Sequence, residues 1–190
     1  DKVKKIVEFF LYPLWDLGIK VGYAVRNFKE IISFSKRDAI IKTTMLDARL
    51  IVGSEKVFNH IMNKYTEEFS RKSIIFLKEK INERKENIKK IGFDYFKNEP
   101  NIKESEGSIR DINLIFWCLK ILRISNQKKI KNFDSFLTTL EKKKINKALN
   151  NLLTLRCYMH YECKKQNDKL TFDLQKKVSQ KLFSFKNKSN

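Results

Sequence analysis

Apolar residues recur along most of this chain at helical spacing. Residues 3–16 place Val3, Ile6, Phe9, Phe10 and Trp15 on one face, which predicts a helix; Pro13 predicts a break or kink in it, and Gly18 suits its end. The next stretch, IKVGYAVR, alternates strictly: Ile19, Val21, Tyr23 and Val25 against Lys20, Gly22, Ala24 and Arg26, the pattern of a strand. A lone strand is not stable, and no good partner follows it, so sheet is missing from the N-terminal side.

Downstream the pattern is helical again. Asn27 with Glu30 three residues on predicts a capping box and a short helix to about Lys36. Asp38 predicts the cap of a helix carrying Ile41, Met45, Ala48 and Val52, with Gly53 as its stop. Ser54 opens another. Residues 66–96 read as one long charged helix with Phe69, Ile74, Leu77 and Ile81 inward. A polar loop follows Pro100; then SIRD predicts a helix start, with Ser108 as cap, Asp111 at its third position and Ile112, Ile115, Phe116, Leu119 and Leu122 as its buried stripe. After a polar stretch at 125–132, helices are expected from about Phe136 to Cys163 and from about Thr171 to Phe183, with the final KNKSN frayed. Arg156 and His160 stand four apart on one face of the first of these, where a histidine is more often satisfied than catalytic; DKLTFDLQ is assigned to packing.

The chain of 190 residues, with 42% hydrophobic and 12% aromatic content, five Gly and two Pro, is a globular composition that favours long helices. Its formal net charge of +19 opens two readings. One is a free-standing basic helical module that holds nucleic acid or an acidic partner. The other is Lys-rich codon bias: the excess is spread from end to end beside many Asn, Ile and Phe, with no arginine stripe and no aromatic RNA-binding signature. Cys118, Cys157 and Cys163 have no paired spacing, which reads as reduced and cytoplasmic, with Cys118 in the core. No metal cluster can be spaced from two His and three Cys, and no apolar run spans a bilayer. The first residue, Asp1, predicts a piece of something longer.

Three stretches then carry a resemblance: FLYPLWDLGIKVGYAVRNFKE with TTMLDARLIVGSEKVF, EPNIKESEGSIRDINLIFWCLK, and LLTLRCYMHYECKKQNDKLTFDLQKKVSQKL. In order and spacing they resemble the bacterial PII uridylyltransferase/uridylyl-removing enzymes, over nearly the whole chain. Where that family usually has Gly-Gly-Leu-Arg-Asp, this chain has Gly107-Ser108-Ile109-Arg110-Asp111; where it usually has Gly-His-Ser-Val-Arg, this chain has Gly22-Tyr23-Ala24-Val25-Arg26.

The resemblance implies a mainly α chain: the C-terminal part of an α/β polymerase-beta-like nucleotidyltransferase domain over residues 1–64, then a helical bundle domain over 65–190. It implies transfer of UMP from UTP to a tyrosine of the PII protein, with Mg²⁺, and hydrolytic removal, under control by glutamine. The Gly-Ser turn and Asp-x-Asp pair that hold triphosphate and metal in such enzymes are absent here and are expected before Asp1. Phosphohydrolase and ligand-sensing domains are expected after Asn190. Alone, the chain is expected to be inactive; a degenerate relative that only binds PII is a further possibility. Candidate nucleotide-binding residues are Gly22, Arg26, Lys103, Arg110 and Asp111, the last as an orienter of Arg110 or a contact to metal or ribose; the opposing reading makes Asp111 a cap and Arg110 a brace. Related adenylyltransferases carry a metal-binding carboxylate where this chain has Gly22, which leaves Asp47 as the candidate catalytic acid. The metal ligands stay unassigned.

Overall fold

The computed structural model describes residues 2–91, 98–125 and 136–186. Among them the fold is mainly α, with eight helices: α1 Lys2–Asp16, α2 Phe28–Arg37, α3 Ala39–Leu46, α4 Glu55–Ser70, α5 Ser73–Ile91, α6 Ile109–Ser125, α7 Thr139–Cys163 and α8 Phe172–Lys186. Most of the final KNKSN lies outside the described residues.

The caps predicted at Asn27, Asp38 and Ser54 form. Asn27 accepts the Glu30 N–H at 3.0 Å while Glu30 accepts the Asn27 N–H at 2.8 Å. Asp38 accepts from Ile40 and Ile41, and Ser54 from Val57. Thr138 and Glu141 make a second capping box, so α7 starts three residues later than Phe136 suggests.

Four local expectations are corrected. Helix α1 runs through Pro13, which removes one backbone donor without ending it; Leu17 N–H still reaches the Pro13 carbonyl at 3.2 Å. The alternating segment 19–26 is not a strand: among the described residues no ladder pairs with it, and it is held by side chains instead, with Trp15 Nε1 donating to the Val21 carbonyl at 3.3 Å. Helix α3 ends at Leu46 rather than Gly53, because Lys120 on α6 donates to the Leu46 carbonyl and draws the Asp47 carboxylate aside. The long charged helix is two helices. Ser70 and Ser73 hydroxyls bond back to the Glu67 and Ser70 carbonyls, and such back-bonding bends a helix where the chain turns at Arg71 and Lys72.

Two hydrophobic clusters result. The first joins Leu46, Tyr65, Phe69, Phe76, Leu77 and Ile121 from α3 to α6, with the Cys118 side chain packed against it. The expected division at 64/65 falls inside α4, and this cluster draws on both sides of it. The second joins Ile102, Met159, Leu174 and Val178, between α7, α8 and the loop before α6. By contrast α1 buries only Leu11 and leaves Val3, Ile6, Phe9, Phe10 and Trp15 exposed.

Candidate functional site: the loop that joins two cores

The polar loop at 98–111 lies between these clusters and is tied to both. Its first half is fixed to the α7–α8 connection. Ile102 N–H donates to the Asp168 carbonyl and Leu170 N–H to the Pro100 carbonyl, each at 2.9 Å, giving an isolated antiparallel bridge between Asn101 and Lys169. Glu99 accepts the Phe172 N–H at 3.0 Å and pairs with Lys169 at 3.0 Å. Inside the loop Asn101 Oδ1 accepts the N–H groups of Lys103 and Glu104, an Asx turn that sets the local curvature.

The second half closes on α5 through one residue. The Arg84 side chain is only 10% exposed. Its Nε donates to Asp111 Oδ1 at 2.5 Å, and its two terminal nitrogens donate to the Glu104 and Ser105 carbonyls at 2.8 Å each. The rigid guanidinium fork thus gathers a carboxylate and two loop carbonyls. Asp111 uses its other oxygen to accept the Gly107 N–H at 2.6 Å. Gly107 sits at φ +74°, a left-handed conformation that favours glycine.

Asp111 is therefore held by Arg84 and does not reach Arg110. Ser108 stands at the helix start, but its hydroxyl donates to the Lys103 carbonyl instead of accepting from the first turn, a correction to its expected capping role. Arg110 turns outward, 46% exposed at the side chain, and its Nε lies 3.1 Å from both carboxylate oxygens of Glu104. Lys103 lies 3.6 Å from Glu104 and 3.9 Å from Asp168.

Asp168 is the centre of a second charged group, its side chain 12% exposed. Arg156 donates to it at 2.6 and 3.3 Å, and His160 Nε2 is 2.9 Å away. Burial works to raise its pKa, but the hydrogen bonds from Arg156 and His160 and the charges of Arg156 and Lys103 outweigh it and hold the carboxyl at about 2. The histidine noticed in the sequence is thus a satisfied partner of Asp168.

The remaining candidates lie elsewhere. Arg26 rests its guanidinium 5.5 Å from the centre of the Phe34 ring, a cation–π contact. A Cβ at Gly22 would meet no protein atom within 4 Å. Asp47 follows α3 with one oxygen accepting from Trp117 Nε1 at 2.8 Å and the other from Lys120 at 2.5 Å. Both Asp47 oxygens thus have neighbouring side-chain donors, and among the described residues no three His, Cys, Asp or Glu side chains gather as a metal-binding group.

Arg84 and Asp168 were not singled out from the sequence. Arg84 sits in the run INERKENIKK, which reads as a solvated face. Its register gives it away: it lies seven residues after Leu77 and three after Ile81, on the buried stripe. For Asp168 the signal was Arg156 and His160 on one face, two basic groups that need a nearby carboxylate.

No described helix is long and apolar enough to cross a membrane. No solved structure matches the chain. A family model described as GlnD PII-uridylyltransferase matches residues 75–190, from the start of α5 through the loop, α6, α7 and α8. The chain is also 32% identical over 181 residues to a bifunctional uridylyltransferase/uridylyl-removing enzyme of Phenylobacterium zucineum (strain HLK1), an alignment that covers 94% of this chain and 19% of that relative. It thus spans about a fifth of the relative's length. The family match includes all of the Arg84–Asp111 junction and the Asp168 group, and together with the alignment it establishes that the chain belongs to the PII-uridylyltransferase family.

Proposed function

We propose that the chain works as the helical part of an enzyme that transfers UMP from UTP to a tyrosine of a PII-type protein and removes it again. The chain carries the end of the nucleotidyltransferase domain and the helical domain that follows it. The observation that carries this reading is the alignment over 94% of the chain to a relative named for both reactions. Response to glutamine and the holding of Mg²⁺ belong to the rest of the longer protein, and no step is drawn through the metal here.

Within that enzyme the loop at 98–111 forms one edge of the nucleotide cleft. Arg110 is the phosphate contact, with Lys103 beside it. Its guanidinium already holds a carboxylate at 3.1 Å to both oxygens, and a phosphate presents the same geometry with more charge. Asp111 and Arg84 act by position: they fix the loop so that Arg110 is presented outward. Arg26 is a second phosphate contact, free to leave the Phe34 ring.

The test is Arg110→Ala in the full-length enzyme. Because the Arg110–Glu104 pair is half-exposed, stability should change by less than about 1 kcal/mol. Uridylylation of PII should fall at least about tenfold in kcat/KM, which corresponds to one lost charge-assisted contact of roughly 1.4 kcal/mol. Unchanged turnover with a lowered melting temperature would make Arg110 a brace and nothing more.

A further inference from the structure

A cavity of about 270 Å³ lies where α2, α3 and the α4–α5 turn meet, away from Lys103, Arg110 and Asp111. Four cations line it: Lys36, Lys42, Arg71 and Lys72. The only acid among the lining residues is Glu68, which already holds Lys36 at 3.0 Å and Arg71 at 3.9 Å. Among the described residues neither Lys42 nor Lys72 has a carboxylate within ion-pair distance. Lys42 is held in place nonetheless. The buried Tyr65 hydroxyl donates to its carbonyl at 2.8 Å, and its ammonium rests 4.9 Å from the Phe76 ring centre. Burial pushes the Tyr65 pKa up, so this hydroxyl stays a donor.

We propose that this cavity is an anion site that takes the phosphoryl group of a small phosphorylated ligand. Two cations without carboxylate partners, converging on one concavity beside a fully committed Glu68, leave a local excess that a dianion balances. The floor decides between a phosphoryl group and a base. Tyr65, Phe69 and Phe76 are each less than a tenth exposed, and one face of Phe76 carries Lys42, so no ring is open for stacking. Recognition is therefore of the charge and the oxygens, through ammonium and guanidinium donors.

The proposal stands apart from the reading of the loop, and its test is site-resolved. The full-length protein is treated with an amine-acylating reagent in about 0.15 M chloride, where diffuse attraction is screened beyond roughly 8 Å. Inorganic diphosphate is titrated in, and the acylation of each lysine is read by mass spectrometry. Lys42 and Lys72 should become protected about tenfold with a saturable midpoint, while Lys89 and Lys90 near the exposed end of α5 should change less than twofold. In Lys72→Gln, a change in an exposed turn, the midpoint for Lys42 should rise about tenfold. Protection shared equally by Lys89 and Lys90, or none at Lys42, overturns the proposal, as does a midpoint unmoved by Lys72→Gln. Uridylylation measured on unlabelled protein of the same preparation, without added diphosphate, separates the two ideas: no protection overturns this one whatever the activity, and the effect of Arg110→Ala on that activity decides the other.

Discussion

Replacing Arg84 by Met should destabilise the chain by about 3–5 kcal/mol. Methionine keeps the stem of the side chain on the α5 stripe, so little apolar packing is lost. What is lost is the fork. Asp111 is left with only the Gly107 N–H, the Glu104 carbonyl loses its donor, and the Ser105 carbonyl keeps only the longer bond from the Ser108 N–H at 3.3 Å. Breaking a buried ion pair from one side costs about 3–5 kcal/mol, because the abandoned charge stays desolvated. The Glu104 carbonyl would add about 1–3 kcal/mol if it stayed dry, but the loop can open to water and recover part of that. Urea denaturation followed by far-ultraviolet circular dichroism measures the change through the midpoint at constant slope. The double variant Arg84→Met with Asp111→Asn separates pairing from packing: it should recover about 1–2 kcal/mol relative to Arg84→Met, as expected when the stranded charge is removed too. A loss under about 1 kcal/mol for Arg84→Met, or no recovery in the double variant, would refute the claim that this arginine holds the loop.

Three further outcomes follow from the geometry. Asp168 falls from an ordinary 3.8 to about 2, so its contribution is fully present above pH 4 and is lost as pH falls through 2; the shift corresponds to at most about 2 kcal/mol after screening, and stability of Asp168→Asn should be flat across that window in acid titration. Thr138→Ala removes half of the α7 capping box and should cost about 1 kcal/mol in the same urea assay, with Thr138→Ser near neutral. Met159 is fully buried in the second cluster, and Met159→Ala should cost about 2–5 kcal/mol, read as a fall in melting temperature.

The sequence carried the helices well because their signals are local. Asn27 with Glu30, Asp38 and Ser54 each announce a cap within three residues, and each cap is present. Where the reading failed, a distant partner decided the outcome. The end of α3 depends on Lys120, more than seventy positions away, and no pattern near Gly53 reports that. The break after Ser70 was carried by two serines three apart, a weak cue inside a strongly periodic run. The alternation at 19–26 is real, but alternation specifies a strand only where an edge exists to pair with it. At the loop, Arg110 and Asp111 were found together by motif, yet they point to different neighbours: one outward to Glu104, the other inward to Arg84. Adjacent positions in sequence gave no sign of that division of labour.

The stitching of the loop to both clusters has a dynamic meaning. The amides of Ile102 and Leu170 bond across the Asn101–Lys169 bridge, while those of Ile109 and Arg110 bond back to the carbonyls of Ile102 and Lys103. None of these four amides can exchange with solvent unless the loop parts from the α7–α8 connection or from its own base. In hydrogen exchange they should open as one cooperative unit, with a single free energy lying between that of the fraying helix ends and that of the cores. A rotation of one cluster against the other strains that unit, so the loop is one of the links, beside the packing of α6 on α7, that limit how independently the two clusters move.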